Sequence, residues 1–441
     1  MQKNAAFILI IILLVQLASP LVFAADAPEV NSPAAILIDS LTGRILYEKD
    51  IHAKKYPASI TKMMTAIIAL EEGKDKLNAT VTASQNAVLT ISYDASNMGT
   101  LPGEELTLEQ YLYGLMLPSA NECGNVIGEY LYGDVNKFVD RMNTRAKELG
   151  ANDTHFMNPH GLHDDNHYTT AYDMAIIARH AMTIPKFREI VNTPLYEIEP
   201  SNKYKEKRYL TNTNLLLSIQ RSARYIYKYA IGIKTGYTAK ANHTLVAAAK
   251  KGDMEVISVV LDAKADGTGN YSYIDTKNMF NYGFENFSLK SVADTRDFTH
   301  EAIIPESKDN QHIILQPQSE LKVLLPNDAN MKQIESSVKV ELLPSIKAPI
   351  KKGDVLGTAS YFYEDKLLGK VNLIADRDVE RDLYVVAKNN IFSFFNMLWV
   401  KIIIAVFVFF FILRLVLRSI MRRKRRKRIT THNNFNQKYY K

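Results

Sequence analysis

Apolar residues fall at positions 60, 63, 64, 67 and 68, the spacing of one helix face, and Ala66, Ala69 and Leu70 fill much of the other side until Gly73 stops the run. A helix with so little polar surface belongs inside a core. Upstream, AAILIDSLTGRILYEKD reads as a hairpin: an apolar strand, a turn through Ser40 to Gly43, and a second strand. Thr107 to Gln110 has the Thr-x-x-Gln form of a capping box and opens the helix LEQYLYGLML, which Pro118 helps to end. Later, IGIKTGYT, HTLVAAAKKG and MEVISVVLDA read as three successive strands, with Gly252-Asp253 as the last tight turn. This mixture over residues 28–288 predicts an α+β domain.

From 290 to 388 the pattern changes to short alternating runs such as HIILQP, LKVLLP, VKVELLP and GKVNLIA between Pro, Gly and Asp, with no helical period of useful length. A small, sandwich-like all-β domain is expected there, acting as a spacer or docking module. Residues 391–413 then form an apolar run interrupted only by Lys401 among charges, which as a helix spans roughly 35 Å. It is apolar on all sides from Ile402 to Leu413, which predicts a spanning helix and not one lying on the interface.

Charge refines the picture. The 441 residues carry a formal +7, but 414–441 holds eleven Lys/Arg and no acid, so removing that tail leaves −4 for residues 1–413. The basic character is therefore a tail property, and it argues for a cytoplasmic end under the positive-inside rule and against a nucleic-acid-binding body. At the other end Lys3, the apolar stretch Ala5 to Val15 and Val22-Phe23-Ala24 form a secretory signal over residues 1–24, either cleaved near Ala25 or retained as an anchor. The single Cys123 allows no intrachain disulfide and, beside Gly124, reads as a small packing residue.

The candidate chemistry starts with Lys62, the one charge in PASITKMMTAIIAL. A cation in the first turn opposes the helix dipole by about 0.3–1 kcal/mol, so Ser59 as a mere N-cap does not account for it. Residues three apart share a face, so Ser59 Oγ and Lys62 Nζ can meet, and desolvation lowers an ammonium's pKa until the neutral amine accepts a proton. That combination is a serine nucleophile with a lysine base. The pair alone is a weak signal, since Ser336-Ser337-Val338-Lys339 repeats the spacing in a strand-like run. Two further elements strengthen it. Ser119-Ala120-Asn121 follows Pro118 on a tight loop, although Ser84-Gln85-Asn86 has the same form. Lys234-Thr235-Gly236 breaks a strand, where glycine implies another backbone close by, such as a peptide laid along the edge with its carboxylate at Lys234 and Thr235.

These three motifs, in this order, resemble the serine penicillin-binding proteins and β-lactamases. ILIDSLTGRILYEKD and NPHGLHDDNHYTTAYDMA are similar in particular to the low-molecular-weight, S11-type D-alanyl-D-alanine carboxypeptidases. The resemblance implies a transpeptidase-like fold: an antiparallel sheet flanked by helices, a helical lobe, then the β domain and anchor. It also implies roles. Ser59 would attack the terminal D-Ala-D-Ala carbonyl with Lys62 as base. Ser119 would relay a proton to the leaving D-Ala, and Asn121 would hold the substrate amide and steady Lys62. Lys234 and Thr235 would bind the terminal carboxylate, beside Gly236, and the backbone N–H groups of Ser59 and Tyr237 would form the oxyanion hole. The implied partners are peptidoglycan stem peptides, β-lactam antibiotics and the bacterial membrane, with the catalytic domain outside it; no cofactor is implied. Transpeptidase, endopeptidase or β-lactamase activity uses the same motifs, and an inactive wall-peptide-binding module is the reading from another class. The chain departs from the resemblance at Ala239-Lys240-Ala241-Asn242-His243, which replaces a common Ala-Gly pair and puts the local turn in question. His155, His160, His163 and His167 crowd Asp164 and Asp165 as a metal site does, but the Gly/Asn/Asp content is equally good turn chemistry, and no metal is expected. RSARYIYKYAIG, next to the third motif, reads as ordinary surface and core, with the glycan side of the cleft as the alternative.

Overall fold

The computed structural model describes residues 27–218, 221–296, 300–308 and 311–436. The signal segment expected at 1–24 lies outside the described residues. Two compact units are present. One ends at Lys290 and also takes in Lys322–Asn330; the other comprises Ser291–Leu321 and the chain from Met331 onward.

The first unit is built on a five-stranded antiparallel sheet of β1 (Ala34–Asp39), β2 (Ile45–Lys49), β3 (Ala230–Thr238), β4 (Asn242–Lys251) and β5 (Met254–Ala263), in the order β2-β1-β5-β4-β3. The hairpin of β1 and β2 turns with Gly43 at φ +76°, and the β4–β5 turn uses Gly252 at φ +62°. Along β1, Ala34, Ile36 and Ile38 join one core while Ala35 and Leu37 join another, as a period of two requires. That is why the strand reads as a continuous apolar run: both faces are covered. One face packs on α4 (Ala171–Ala181) and shares its core with α1 (Lys62–Glu72), α2 (Leu108–Met116) and α3 (Asn121–Tyr132); the other meets α5 (Tyr271–Asn286) through Tyr273, Met279 and Phe280.

α1 lies within the helical core, with every residue from Lys62 to Leu70 buried. Its Met63, Met64, Ile67, Ile68 and Leu70 each contribute roughly 1.5–3 kcal/mol of burial, enough to carry the desolvation of one amine at the helix start. The capping box at Thr107 and Gln110 forms as expected, each side chain bonded to the other's backbone N–H.

In the second unit, β6 (His300–Ile303), β7 (His312–Pro317), β8 (Lys339–Leu342), β9 (Val355–Tyr363) and β10 (Lys366–Ala375) form an antiparallel sheet in the order β6-β7-β10-β9-β8. Two features depart from expectation, one in the β domain and one in the apolar run after it. A one-and-a-half-turn helix, Met331–Ser336, is too short to leave a readable period, and Ser336 of the repeated Ser-x-x-Lys spacing ends it while Lys339 opens β8. The run expected to be one spanning helix over 391–413 is two: α6 (Leu383–Asn396) stops at Met397, whose φ −62° and ψ 134° are extended, and α7 (Leu398–Asn436) follows. The stretch long and apolar enough to cross a membrane is therefore Leu398–Lys424.

Candidate active site

The backbone before α1 turns sharply at Ala58, φ +52°, into a 3-10 turn over Ala58–Thr61. Ser59 sits within that turn, and the N-cap of α1 is Thr61, so Ser59 does not cap the helix. Its hydroxyl is instead 3.0 Å from Lys62 Nζ. The amine also donates to Asn121 Oδ1 at 2.7 Å and to the His160 carbonyl at 2.5 Å. Lys62 is fully buried, and this burial, then the charge of Lys234, holds its pKa well below the ordinary lysine value.

Asn121 is the first residue of α3, and Ser119 before it adopts φ +66°. The Ser119 hydroxyl is buried and, among the described residues, has no hydrogen-bond partner. Two backbone bonds fix this turn: Ala120 N–H to Gly114 O at 3.0 Å and Asn121 N–H to Ser96 O at 2.9 Å.

The third motif lies on the sheet edge. Lys234 is buried, donates to the Thr235 carbonyl at 3.0 Å, and has no carboxylate within ion-pair distance among the described residues. Burial alone pushes its pKa down to about 7. Thr235 Oγ1 is 2.8 Å from Thr213 Oγ1. The need for glycine at 236 comes from the protein itself and not only from a bound peptide: a Cβ there would lie 2.4 Å from Thr244 Oγ1, 2.9 Å from Ser59 N and 3.1 Å from Pro57 O. β3 thus abuts the backbone of the Ser59 turn. Tyr237 follows, 61% exposed. The replaced Ala-Gly pair does not disturb the hairpin, since pairing continues to Thr238↔Asn242 and Asn242, at φ +54°, donates to Asp262 Oδ1 at 2.7 Å.

Sequence reasoning missed the fourth wall. Asn158 Oδ1 accepts from Gly161 N–H at 2.6 Å, closing a turn that presents the His160 carbonyl to Lys62 and the Pro159 carbonyl to Thr65 Oγ1 at 2.6 Å. Gly161 is required there, with φ +88° and a would-be Cβ 1.9 Å from Ala58 O. The signal was present as Asn-Pro-His-Gly turn chemistry, but nothing in it points a carbonyl at a lysine.

The four histidines serve separate partners. His167 Nδ1 accepts from Met157 N–H, which leaves Nε2 to donate to Thr61 Oγ1 at 2.8 Å, and burial drives its pKa down to about 3. His160 Nδ1 accepts from Leu162 N–H, His155 Nδ1 is 2.8 Å from Asn166 O, and His163 Nε2 is 3.2 Å from Asp165. Cys123 is buried, and burial raises its thiol pKa, so it is no nucleophile. In RSARYIYKYAIG, Tyr225 stacks on Tyr273 and Tyr227 packs against Phe280 of α5, partly buried.

A serine hydroxyl beside a buried lysine of depressed pKa is an arrangement capable of acyl transfer. The chain belongs to the D-alanyl-D-alanine carboxypeptidase family: the family so described matches residues 21–265, and the penicillin-binding protein 5 C-terminal domain matches residues 302–381. D-alanyl-D-alanine carboxypeptidase DacF of Bacillus subtilis (strain 168) is 31% identical over 354 residues, covering 80% of this chain and 86% of that protein. Penicillin-binding protein 5 from Haemophilus influenzae superposes with TM-score 0.63 at 28% identity, covering 80% of this chain and 99% of that one. A peptidoglycan synthesis regulatory factor (PBP3) from Streptococcus pneumoniae does so with TM-score 0.67 at 26% identity, covering 80% and 100%.

Proposed function

We propose that this chain removes the terminal D-Ala from peptidoglycan stem peptides through an acyl-enzyme on Ser59, and that β-lactams acylate the same serine. The observation that carries this reading is the Lys62 hydrogen-bond set. Asn121 Oδ1 and the His160 carbonyl can only accept, so they hold two N–H bonds of the amine. A neutral Lys62 therefore turns its lone pair toward Ser59 Oγ, the geometry of a general base.

The steps follow. Ser59 Oγ attacks the scissile carbonyl as its proton passes to Lys62. The oxyanion is held by the N–H groups of Ser59 and Tyr237, a contribution typically of ~3–4 kcal/mol. Ser119, whose hydroxyl has no partner among the described residues, relays that proton from Lys62 to the departing D-Ala nitrogen, regaining from Lys62 the proton it gives up. Lys234 and Thr235 hold the terminal carboxylate; a buried ammonium without an anion gains most from one. Water then attacks the acyl-enzyme. α7 anchors the protein, with the 414–441 tail in the cytoplasm and the catalytic unit outside.

Fluorescent penicillin should label the protein covalently, and Ser59→Ala should abolish labelling while leaving the thermal unfolding transition in place. Labelling that persists in that variant removes the assignment. D-Ala release from a pentapeptide, measured against transfer onto an added amine, separates hydrolysis from transpeptidation.

A further inference from the structure

Beside the second motif lies a cavity of about 610 Å³ walled by Leu89, Ile91, Tyr93, Leu101 and Tyr204, with Glu122 on its lining. Its walls are mainly apolar, with Ser92, Asn97 and Thr100 among them, and Glu122 is its one charged residue. Glu122 is 2% exposed; its Oε1 accepts from Met98 N–H at 2.8 Å and Thr100 Oγ1 at 3.1 Å, while Oε2 has no partner among the described residues. Among the described residues no Lys, Arg or His lies within ion-pair distance of it. Buried carboxylates are ordinarily paired on both oxygens. A lining of this kind, in a volume suited to a small molecule, seeks a cation with an apolar body.

The same loop reaches the catalytic groups. Ser96 O accepts the Asn121 N–H at 2.9 Å, and two residues on, Met98 is tied to Glu122. Tyr204 OH donates to Gly99 O, and both residues line the cavity. The segment that positions Asn121, and through it Lys62, is therefore one wall of this cavity.

We propose that the cavity binds a small ligand carrying an ammonium group on an apolar body, with Glu122 as its counter-ion, and that the occupant steadies the loop holding Asn121. The requirement is for the ammonium, whether on a free amine or on a peptide side chain. Filling the space between loop and helix restrains the Ser96 carbonyl, so acylation of Ser59 speeds up when the site is occupied.

The test uses the full chain in non-ionic detergent and two probes of matching shape, cyclohexylmethylammonium and uncharged cyclohexylmethanol, followed by saturation-transfer NMR. The ammonium should bind saturably and the alcohol at least tenfold more weakly. Glu122→Gln should erase that preference, and Leu101→Trp, which fills the cavity but keeps the carboxylate, should weaken ammonium binding at least tenfold. Saturating ammonium should raise the rate of labelling by fluorescent penicillin at least twofold in the unaltered protein and leave it unchanged in Leu101→Trp. Equal binding of the two probes, or undiminished ammonium binding by Glu122→Gln, overturns the site; an unchanged labelling rate at saturation overturns its coupling to Asn121. An Nα-acetyl-lysine methylamide probe that competes with the ammonium points to a peptide side chain as the source, and its failure to compete points to free amines. Binding is read without turnover, so this proposal and the carboxypeptidase reading fail separately.

Discussion

Gly236→Ala tests whether the sheet edge sets the position of the nucleophile. The added methyl meets Thr244 Oγ1 at 2.4 Å and Ser59 N at 2.9 Å, against ordinary contact from 3.4 Å upward. Relief requires about 1 Å from the threonine and about half that from the backbone of the nucleophile turn. The threonine cannot simply rotate away, because its hydroxyl donates to Pro57 O at 2.9 Å and so belongs to the same contact. β3 must therefore part from the Ser59 turn, carrying Lys234, Thr235 and Tyr237 with it. Overpacking of this kind costs roughly 1–3 kcal/mol of stability. Misplacement by about 1 Å costs on the order of 10²-fold in rate. The assay is the second-order rate of labelling by fluorescent penicillin, with a thermal melt to show the protein is folded. A folded variant labelled within threefold of the unaltered rate would refute the idea that this close approach positions Ser59.

The remaining expectations concern the two lysines and the loop behind them. Acylation requires neutral Lys62, so its rate should rise with pH through the depressed Lys62 pKa; carboxylate binding requires charged Lys234, so affinity should fall above about pH 7, by up to tenfold per pH unit. The sign follows because Lys234 is already protonated below pH 7 and must take up a proton to bind above it. A pH profile of kcat/KM without an alkaline limb in that region would contradict the carboxylate role. Asn121→Ala frees one N–H of Lys62 and should slow labelling about 10²-fold. Asn121→Asp should instead hold Lys62 as an ammonium and move the acid limb upward by about 1–3 pH units, so an unmoved limb would separate Asn121 from Lys62. Gly161→Ala places a methyl 1.9 Å from Ala58 O at φ +88°, and should lower stability by roughly 2–4 kcal/mol in chemical denaturation and slow labelling as the His160 carbonyl withdraws.

What the sequence made legible were features whose cause is local. Period-two and period-3.6 patterns are set by neighbours along the chain, so the β1–β2 hairpin, the capping box and the β3–β4–β5 run were readable. The break at Met397 was not, because apolar residues flank it on both sides and only the backbone angles differ. The helix Met331–Ser336 spans too few residues for a period to emerge. At the proposed site the candidate side chains come from Ser-x-x-Lys, Ser-Ala-Asn and Lys-Thr-Gly, but the backbone groups around them leave no sequence signal. The His160 carbonyl, the Ser96 carbonyl and the Ser59 N–H are backbone atoms, identical at every position and distinguished only by where the fold brings them.

That division has a mechanistic consequence. In the proposed mechanism the lysine becomes a base by losing water, and the buried residues of α1 around position 62 contribute that loss. Losing water alone leaves an amine free to turn its lone pair anywhere. Direction comes from two acceptors that never donate, one a side chain whose helix is pinned by Ser96 O, the other a carbonyl held in a turn by Gly161. Burial and the charge of Lys234 set the pKa of Lys62, and the two acceptors set its aim. A variant that keeps α1 buried but shifts either acceptor should therefore retain the depressed pKa and lose the rate.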